Sequence, residues 1–224
     1  MPDQVTSVSV NASRMQNIFP SRGLYAITPQ HTGTPETLAE AVCAAIRGGA
    51  QVIQYRAKNS PLMTEQAECI LSECRRTGVP LVINDDMELM QRVGADGIHL
   101  GRDDMPLAEA RRRLGATALI GVSCYDSIER AIEAQAMGAS YVAFGRFFPS
   151  QTKPQAPCAQ LETLKLAKRR LHIPIVAIGG ITAGNGQKLI DAGADLLAVV
   201  DGIFGEKDIA RAAASIQRLF LKPE

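Results

Sequence analysis

The chain has 224 residues, 46% hydrophobic and 21% charged, with a formal net charge of +1. That is enough sequence for one large core or two small ones, and the near-neutral balance argues against the basic face that nucleic acid or an anionic membrane would require. Apolar runs all fall short of membrane-spanning length, and the five cysteines (Cys43, Cys69, Cys74, Cys124, Cys158) form no C-x-x-C pair and no zinc spacing, so a reducing, cytoplasmic setting is expected.

Along the chain, residues 1–20 carry Asp3 and polar Ser, Asn and Gln where a targeting segment would have a basic start and an apolar run. They are read as a flexible extension ahead of a single domain over 21–224. Short β-branched runs then alternate with helical patterns. Strands are expected at Gly23–Thr28, Gln51–Arg56, Pro80–Asp85, Gly97–Leu100, Leu119–Cys124, Tyr141–Gly145, Pro174–Gly180 and Leu196–Asp201. Helices are expected between them, among others at Glu36–Arg47, Thr64–Thr77, Ser127–Met137 and Gln187–Ala192, with a last one at Asp208–Leu221. The joints "GGAQ", "VGADG", "MGASY" and "AGADL" each set a Gly at a helix end just before a strand, as a left-handed C-cap requires. Eight βα units without a hairpin signal favour a parallel sheet closed into a (β/α)₈ TIM barrel, an α/β fold. A doubly wound sheet is the runner-up, but "GLYAITPQHTGT" lacks the Gly-x-Gly-x-x-Gly turn.

Polar residues gather at the C-terminal strand ends. In "QVIQYRAKNS" Gln54, Arg56 and Lys58 recur at every second position, so an extended chain points them to one side. "INDD" ends the third strand with Asn84 and Asp85, "HLGRDD" follows the fourth with Asp103 and Asp104, and Ser123 ends the fifth. "FFPSQTK" after the sixth adds Ser150, Thr152 and Lys153, the seventh ends in Gly179 and Gly180, and the eighth in Asp201. In a barrel these ends form one rim, where βα loops build the site. Cations and carboxylates around one mouth suggest magnesium bridging to phosphate, and Arg and Lys neutralise the remaining charge. "AIGGITAGN", with Thr182 expected to open a helix, supplies a second anion signal, although it is not a P-loop.

Five motifs in order resemble the thiamine phosphate synthase family from about Leu24 to the last helix: "QYRAK", "INDD", "GIHLGRDD", "FFPSQTK" and "AIGGI". The resemblance implies a TIM-barrel catalytic domain that joins hydroxymethylpyrimidine diphosphate to a thiazole phosphate, releasing diphosphate. By position it implies that Gln54, Tyr55, Arg56, Ala57, Lys58, Asn84, Ser123 and Lys153 hold the pyrimidine diphosphate. Arg56, Lys58, Ser123 and Lys153 are then catalytic, because they meet the leaving group's charge. It assigns Asp85 and Asp104 to Mg2+, and Ser150, Gln151, Thr152, Gly180, Val200 and Asp201 to the thiazole phosphate. The partners implied are these small molecules, with homo-oligomer formation left open. Arg102 stands where the family usually has Gln, Ser150 where Thr is common, and Asp201 where Ser is common.

Other residues have plainer readings. Asp86 is expected to cap a helix, one of Asp103 and Asp104 to cap the next, and Arg111, Arg112 and Arg113 to decorate a helix surface. His99 is read as an interior hydrogen-bonding residue and Cys124 as a small apolar filler. Two alternatives are a thiazole tautomerase-like barrel and a non-catalytic phosphate-ligand sensor. The first would lack the Gln-x-Arg-x-Lys and would place a histidine near Ser123 to move protons; the sequence meets neither condition. A phosphosugar isomerase or epimerase would need a proton-transfer base that the rim does not display.

Overall fold

The computed structural model describes residues 19–30, 33–57, 60–149 and 158–221. Eight strands close into one parallel barrel in sequence order, with β1 returning to pair with β8. They are β1 (Gly23–Ile27), β2 (Ala50–Tyr55), β3 (Leu81–Asn84), β4 (Gly97–Leu100), β5 (Leu119–Tyr125), β6 (Tyr141–Gly145), β7 (Ile175–Ile178) and β8 (Leu196–Val199). Around them lie α1 (Pro35–Arg47), α2 (Met63–Thr77), α3 (Met87–Val93), α4 (Leu107–Leu114), α5 (Ile128–Ala136), α6 (Leu161–Arg170), α7 (Gln187–Asp191), α8 (Asp201–Phe204) and α9 (Ile209–Gln217). Each of the eight expected strands is present; β1, β3, β7 and β8 are one to three residues shorter than expected, and β5 is one longer. Among the described residues no helix is long and apolar enough to cross a membrane.

The period of two along each strand sorts the core into two layers. Outward residues such as Ile53, Tyr55, Ile83, Ile98 and Phe144 pack with the helices, while Tyr25, Ile27, Val52, Val82, Tyr141, Ala143 and Val176 fill the barrel interior. The helices present matching stripes. In α1, Leu38, Val42 and Ala45 are buried at helical spacing, and Thr34 caps its start by accepting from the Thr37 N–H.

The repeated joints do more than end helices. Gly94 is a left-handed C-cap at φ 71°, the conformation that glycine adopts most cheaply. Two residues on, Asp96 accepts the Leu81 N–H at 2.8 Å; at the equivalent places Ser140 accepts from Ile120 at 3.0 Å and Asp195 from Ile175 at 3.0 Å. Each ties the start of its own strand to the start of another, so the polar residues of these joints serve stability at the N-terminal rim.

Two expectations need correcting. Phe19, assigned to the flexible extension, belongs to the barrel interior: it is 8% exposed and its ring stacks on Tyr141 with centroids 4.2 Å apart. Residues 1–18 of the extension lie outside the described residues. Arg111 is not surface decoration either, because its guanidinium donates to the carbonyls of Gly115, Ala118 and Gly138 at 2.7–2.8 Å. It pins the end of α4 and the turn that precedes β6. Arg112 and Arg113 do stay at the surface, both paired with Glu109.

Candidate active site

A cavity of about 500 Å³ opens at the C-terminal ends of the strands. Gln54 and Arg56 enter it from β2, Asn84 from β3, His99 from β4, and Ser123 and Tyr125 from β5. Opposite stand Gly179, Gly180 and Thr182 after β7, and Val200, Asp201 and Gly202 at the start of α8. Arg146, just after β6, adds a second cation that the motif reading did not single out.

Local structure explains these placements. Thr28, fully buried, accepts the Arg56 N–H on its hydroxyl at 2.9 Å, so the end of β1 holds the chain where it leaves β2. Arg130 of α5 donates to the Ser123 carbonyl at 2.9 Å and to the Gly101 carbonyl at 3.3 Å, tying the ends of β5 and β4 together. Arg102 lies 4.5 Å over the ring of Tyr125, a cation–π contact that gives this departure from the family pattern a partner of its own. Tyr55 follows the alternation away from the cavity: its hydroxyl donates to Gln66 of α2 at 2.7 Å, and burial pushes it up to about 12. The Tyr55 side chain is therefore not a cavity group, and Ala57 does not line the cavity either. Lys58, Ser150, Gln151, Thr152 and Lys153 lie outside the described residues.

The carboxylates stand apart from the main cavity. Asp85 has φ 64°, in the left-handed region, and its N–H donates to the His99 carbonyl at 3.0 Å. Alternation along β3 sets Asn84, like Val82, toward the barrel interior and the main cavity, while Asp85, at the turn, lines a neighbouring cleft with Asp104. The expected single mouth is thus two adjacent depressions. Asp86 caps α3 by accepting the Leu89 N–H at 2.8 Å. Neither Asp103 nor Asp104 caps α4, whose first flanking residue is Pro106; Asp104 instead accepts the Gly101 N–H.

The glycine turn also differs in detail. Thr182 opens no helix: residues 183–186 form a turn, α7 begins at Gln187, and the Thr182 N–H is bonded to the Asn185 side chain at 2.8 Å. Gly180 has φ 63°, and a Cβ there would lie 2.3 Å from the Pro149 carbonyl, so only glycine fits beneath the loop that follows β6. Asp201 is the first residue of α8 and is exposed at the cavity edge.

His99 is the interior hydrogen-bonding residue expected of it, but one of its partners is not expected. It is 9% exposed, with Nδ1 3.0 Å from the Tyr141 hydroxyl and Nε2 2.9 Å from the Ser123 hydroxyl. The sequence places no histidine near Ser123, but a contact across 24 positions supplies one. Cys124, next to Ser123, points the other way into the helix layer, and burial pushes its thiol up to about 12, as it does for Cys74. Since the thiolate is the reactive form, iodoacetamide at pH 8 is expected to label exposed Cys158 and to spare Cys74 and Cys124 until the chain is unfolded. Peptide mass spectrometry reads this directly, and labelling of Cys124 in the folded protein would contradict its placement.

A closed parallel barrel with its cavity at the C-terminal strand ends is the architecture of a (β/α)₈-barrel enzyme. A family model described as thiamine monophosphate synthase matches residues 24–203, and the chain belongs to that family. It is 53% identical over 207 residues to the thiamine-phosphate synthase of Methylococcus capsulatus, covering 92% of each chain. It is 50% identical over 204 residues to that of Thiobacillus denitrificans, covering 90% of this chain and 96% of the relative. Among solved structures, the thiamine phosphate pyrophosphorylase from Pyrococcus furiosus superposes with a TM-score of 0.79 at 32% identity, over 89% of this chain and 96% of that one.

Proposed function

We propose that this chain joins hydroxymethylpyrimidine diphosphate to a thiazole phosphate, forming thiamine phosphate and releasing diphosphate. The observation that carries this reading is the convergence of Gln54, Arg56, Asn84 and Ser123 on one cavity, with the Gly179–Gly180 turn across from them. Gln54, Asn84 and Ser123 supply neutral hydrogen-bonding groups to the pyrimidine diphosphate. Arg56 supplies a fixed cation where negative charge grows as the bond to diphosphate breaks, which is electrostatic stabilisation of the transition state. Lys58 and Lys153 are assigned the same task. An electron-rich aminopyrimidine can carry positive charge on its methylene carbon, so a dissociative path suits this arrangement. The thiazole nitrogen attacks with a free lone pair and needs no general base; the pocket's task is alignment. The thiazole phosphate is assigned to Gly180, to Val200 and Asp201, and to residues 150–152. Asp201 is best used through its backbone, since its carboxylate would repel a phosphate.

The residues present fit a magnesium ion. Asp85 and Asp104 share one cleft, Asp85 being next in sequence to the Asn84 assigned to the diphosphate, and this ion commonly takes one or two carboxylates while substrate phosphates and water complete its shell. Among the described residues no group of three His, Cys, Asp or Glu could hold a metal, and the ion assigned to Asp85 and Asp104 would take the rest of its shell from substrate phosphates and water. When bound, the ion would neutralise diphosphate charge. The five free cysteines support a cytoplasmic enzyme.

The test is incubation with both substrates, with and without magnesium. Thiamine phosphate is expected only when all three are present. Asp85→Asn and Asp104→Asn should each raise the magnesium concentration for half-maximal rate roughly tenfold or more, the scale of one lost charge-assisted contact. No product under conditions where both substrates bind would overturn the reading. Isomerised thiazole without coupling would favour the tautomerase, with which the His99–Ser123 pair is compatible.

A further inference from the structure

Five side chains from five strands form one hydrogen-bonded chain across the floor of the cavity. The Gln54 Nε2 group donates to the Tyr25 hydroxyl at 2.8 Å, and the Tyr25 and Tyr141 hydroxyls are 2.7 Å apart. Tyr141 meets His99 Nδ1 at 3.0 Å, and His99 Nε2 meets the Ser123 hydroxyl at 2.9 Å. Gln54, Tyr25 and Tyr141 are at most 3% exposed, and Tyr25 and Tyr141 are 116 positions apart in sequence. Burial raises both phenols well above their ordinary range, so both remain protonated and each has one hydrogen to give.

Counting hydrogens gives the chain a direction. An amide nitrogen can only donate, so Tyr25 accepts from Gln54 and passes its own hydrogen to Tyr141. Tyr141 passes its hydrogen to His99 Nδ1, which must then be the bare ring nitrogen. A neutral His99 carries its hydrogen on Nε2 and gives it to Ser123. The Ser123 hydroxyl has then accepted within the chain, and its own hydrogen is left for the cavity. Running the chain the other way would leave a Tyr25 O–H facing the Gln54 N–H, two donors in contact, at a buried site where an unmade bond is costly.

We propose that Gln54, Tyr25, Tyr141 and His99 form a polarised relay that holds His99 as the neutral Nε2–H tautomer and thereby presents Ser123 to the cavity as a hydrogen-bond donor. Tyr25, Tyr141 and His99 are then positioning residues, acting through Ser123. The consequence for catalysis rests on the reading above, in which Ser123 faces the oxygens of a diphosphate: a donor stabilises that charge and an acceptor would oppose it. The relay also links the Gln54 end of the substrate site to the Ser123 end, so the amide orientation on β2 sets the hydroxyl orientation on β5.

The tautomer is directly measurable. The chain has three histidines, so ring-¹⁵N-labelled protein gives few resonances, and His99 is identified by its disappearance in His99→Gln. Long-range ¹H–¹⁵N correlation at pH 7.5 is expected to show His99 with a bare Nδ1 and a protonated Nε2. An Nδ1–H tautomer, or a doubly protonated ring, would overturn the relay. Tyr141→Phe and Tyr25→Phe keep the rings and their packing and remove single links. Each should shift His99 toward a mixture of tautomers and lower kcat about tenfold, with the KM for the thiazole phosphate little changed. A His99 signal and a kcat both unchanged in the two variants would show that the chain does not set the donor. If the unmodified protein makes no thiamine phosphate, the synthase reading fails, while the ¹⁵N spectrum still decides the relay.

Discussion

Arg56→Ala is expected to lower kcat/KM for thiamine phosphate formation by about 10²–10³-fold, the usual cost of removing one preorganised group aimed at transition-state charge. The loss should fall mainly on kcat, because the charge that Arg56 meets grows as diphosphate departs. Stability should change little. The Arg56 backbone N–H keeps its bond to Thr28, and the side chain lines the cavity without filling the core. Arg112→Ala is the control: that guanidinium is 71% exposed and pairs with Glu109 on the helix surface, so activity should stay within about twofold of the parent. Arg111→Ala is no control, since it frees three carbonyls and should lower Tm by several degrees without a specific effect on kcat. Steady-state kinetics with both substrates varied, alongside thermal melts, separates the three. Equal kinetic losses in the Arg56 and Arg112 variants would remove Arg56 from its assigned role.

Gly121→Ala should be among the most damaging single-methyl additions to this fold. A Cβ at that position would lie 2.0 Å from Cζ of Tyr141, and the ring cannot retreat without breaking its bonds to Tyr25 and His99. Overpacking of this kind costs about 1–3 kcal/mol and occasionally more, and at this chain length each kcal/mol lowers Tm by about 2–4 °C. Activity should fall as well, because Ser123 follows on the same face of β5, two positions along. The double variant Gly121→Ala/Tyr141→Leu removes the clashing ring and should recover part of the lost Tm while remaining catalytically impaired. A Gly121→Ala protein that melts with the parent would show that the interior is not packed as described.

Much of this was legible locally. The alternation of Gln54, Arg56 and Lys58 marked one side of β2, and the structure shows Gln54 and Arg56 on that side, in the cavity. Strand existence was legible for all eight because each run is short, β-branched and bounded by turn residues. Even the joints carried more signal than their glycines: the Asp or Ser after Gly-Ala is the residue that laces the N-terminal rim. What escaped was whatever depends on two distant strands meeting. No local pattern distinguishes a Tyr25 that meets Tyr141 from any other strand tyrosine. Nor does one announce that α4 would lend Arg111 to the carbonyls of a later turn, or that Arg146 would face the cavity.

The sequence by itself determined the eight-unit order, the side of β2 that faces inward and the rim at which polar residues collect, because periodicity and turn chemistry act over a few residues. Only the closed barrel decided which of those polar groups touch. The loops after β3 and β4 bring Asp85 and Asp104 into a cleft of their own, and the crossing of the interior sets His99 against Ser123. Closure brings together side chains that local physics leaves independent, and in a buried interior hydrogen bonding then leaves them few arrangements.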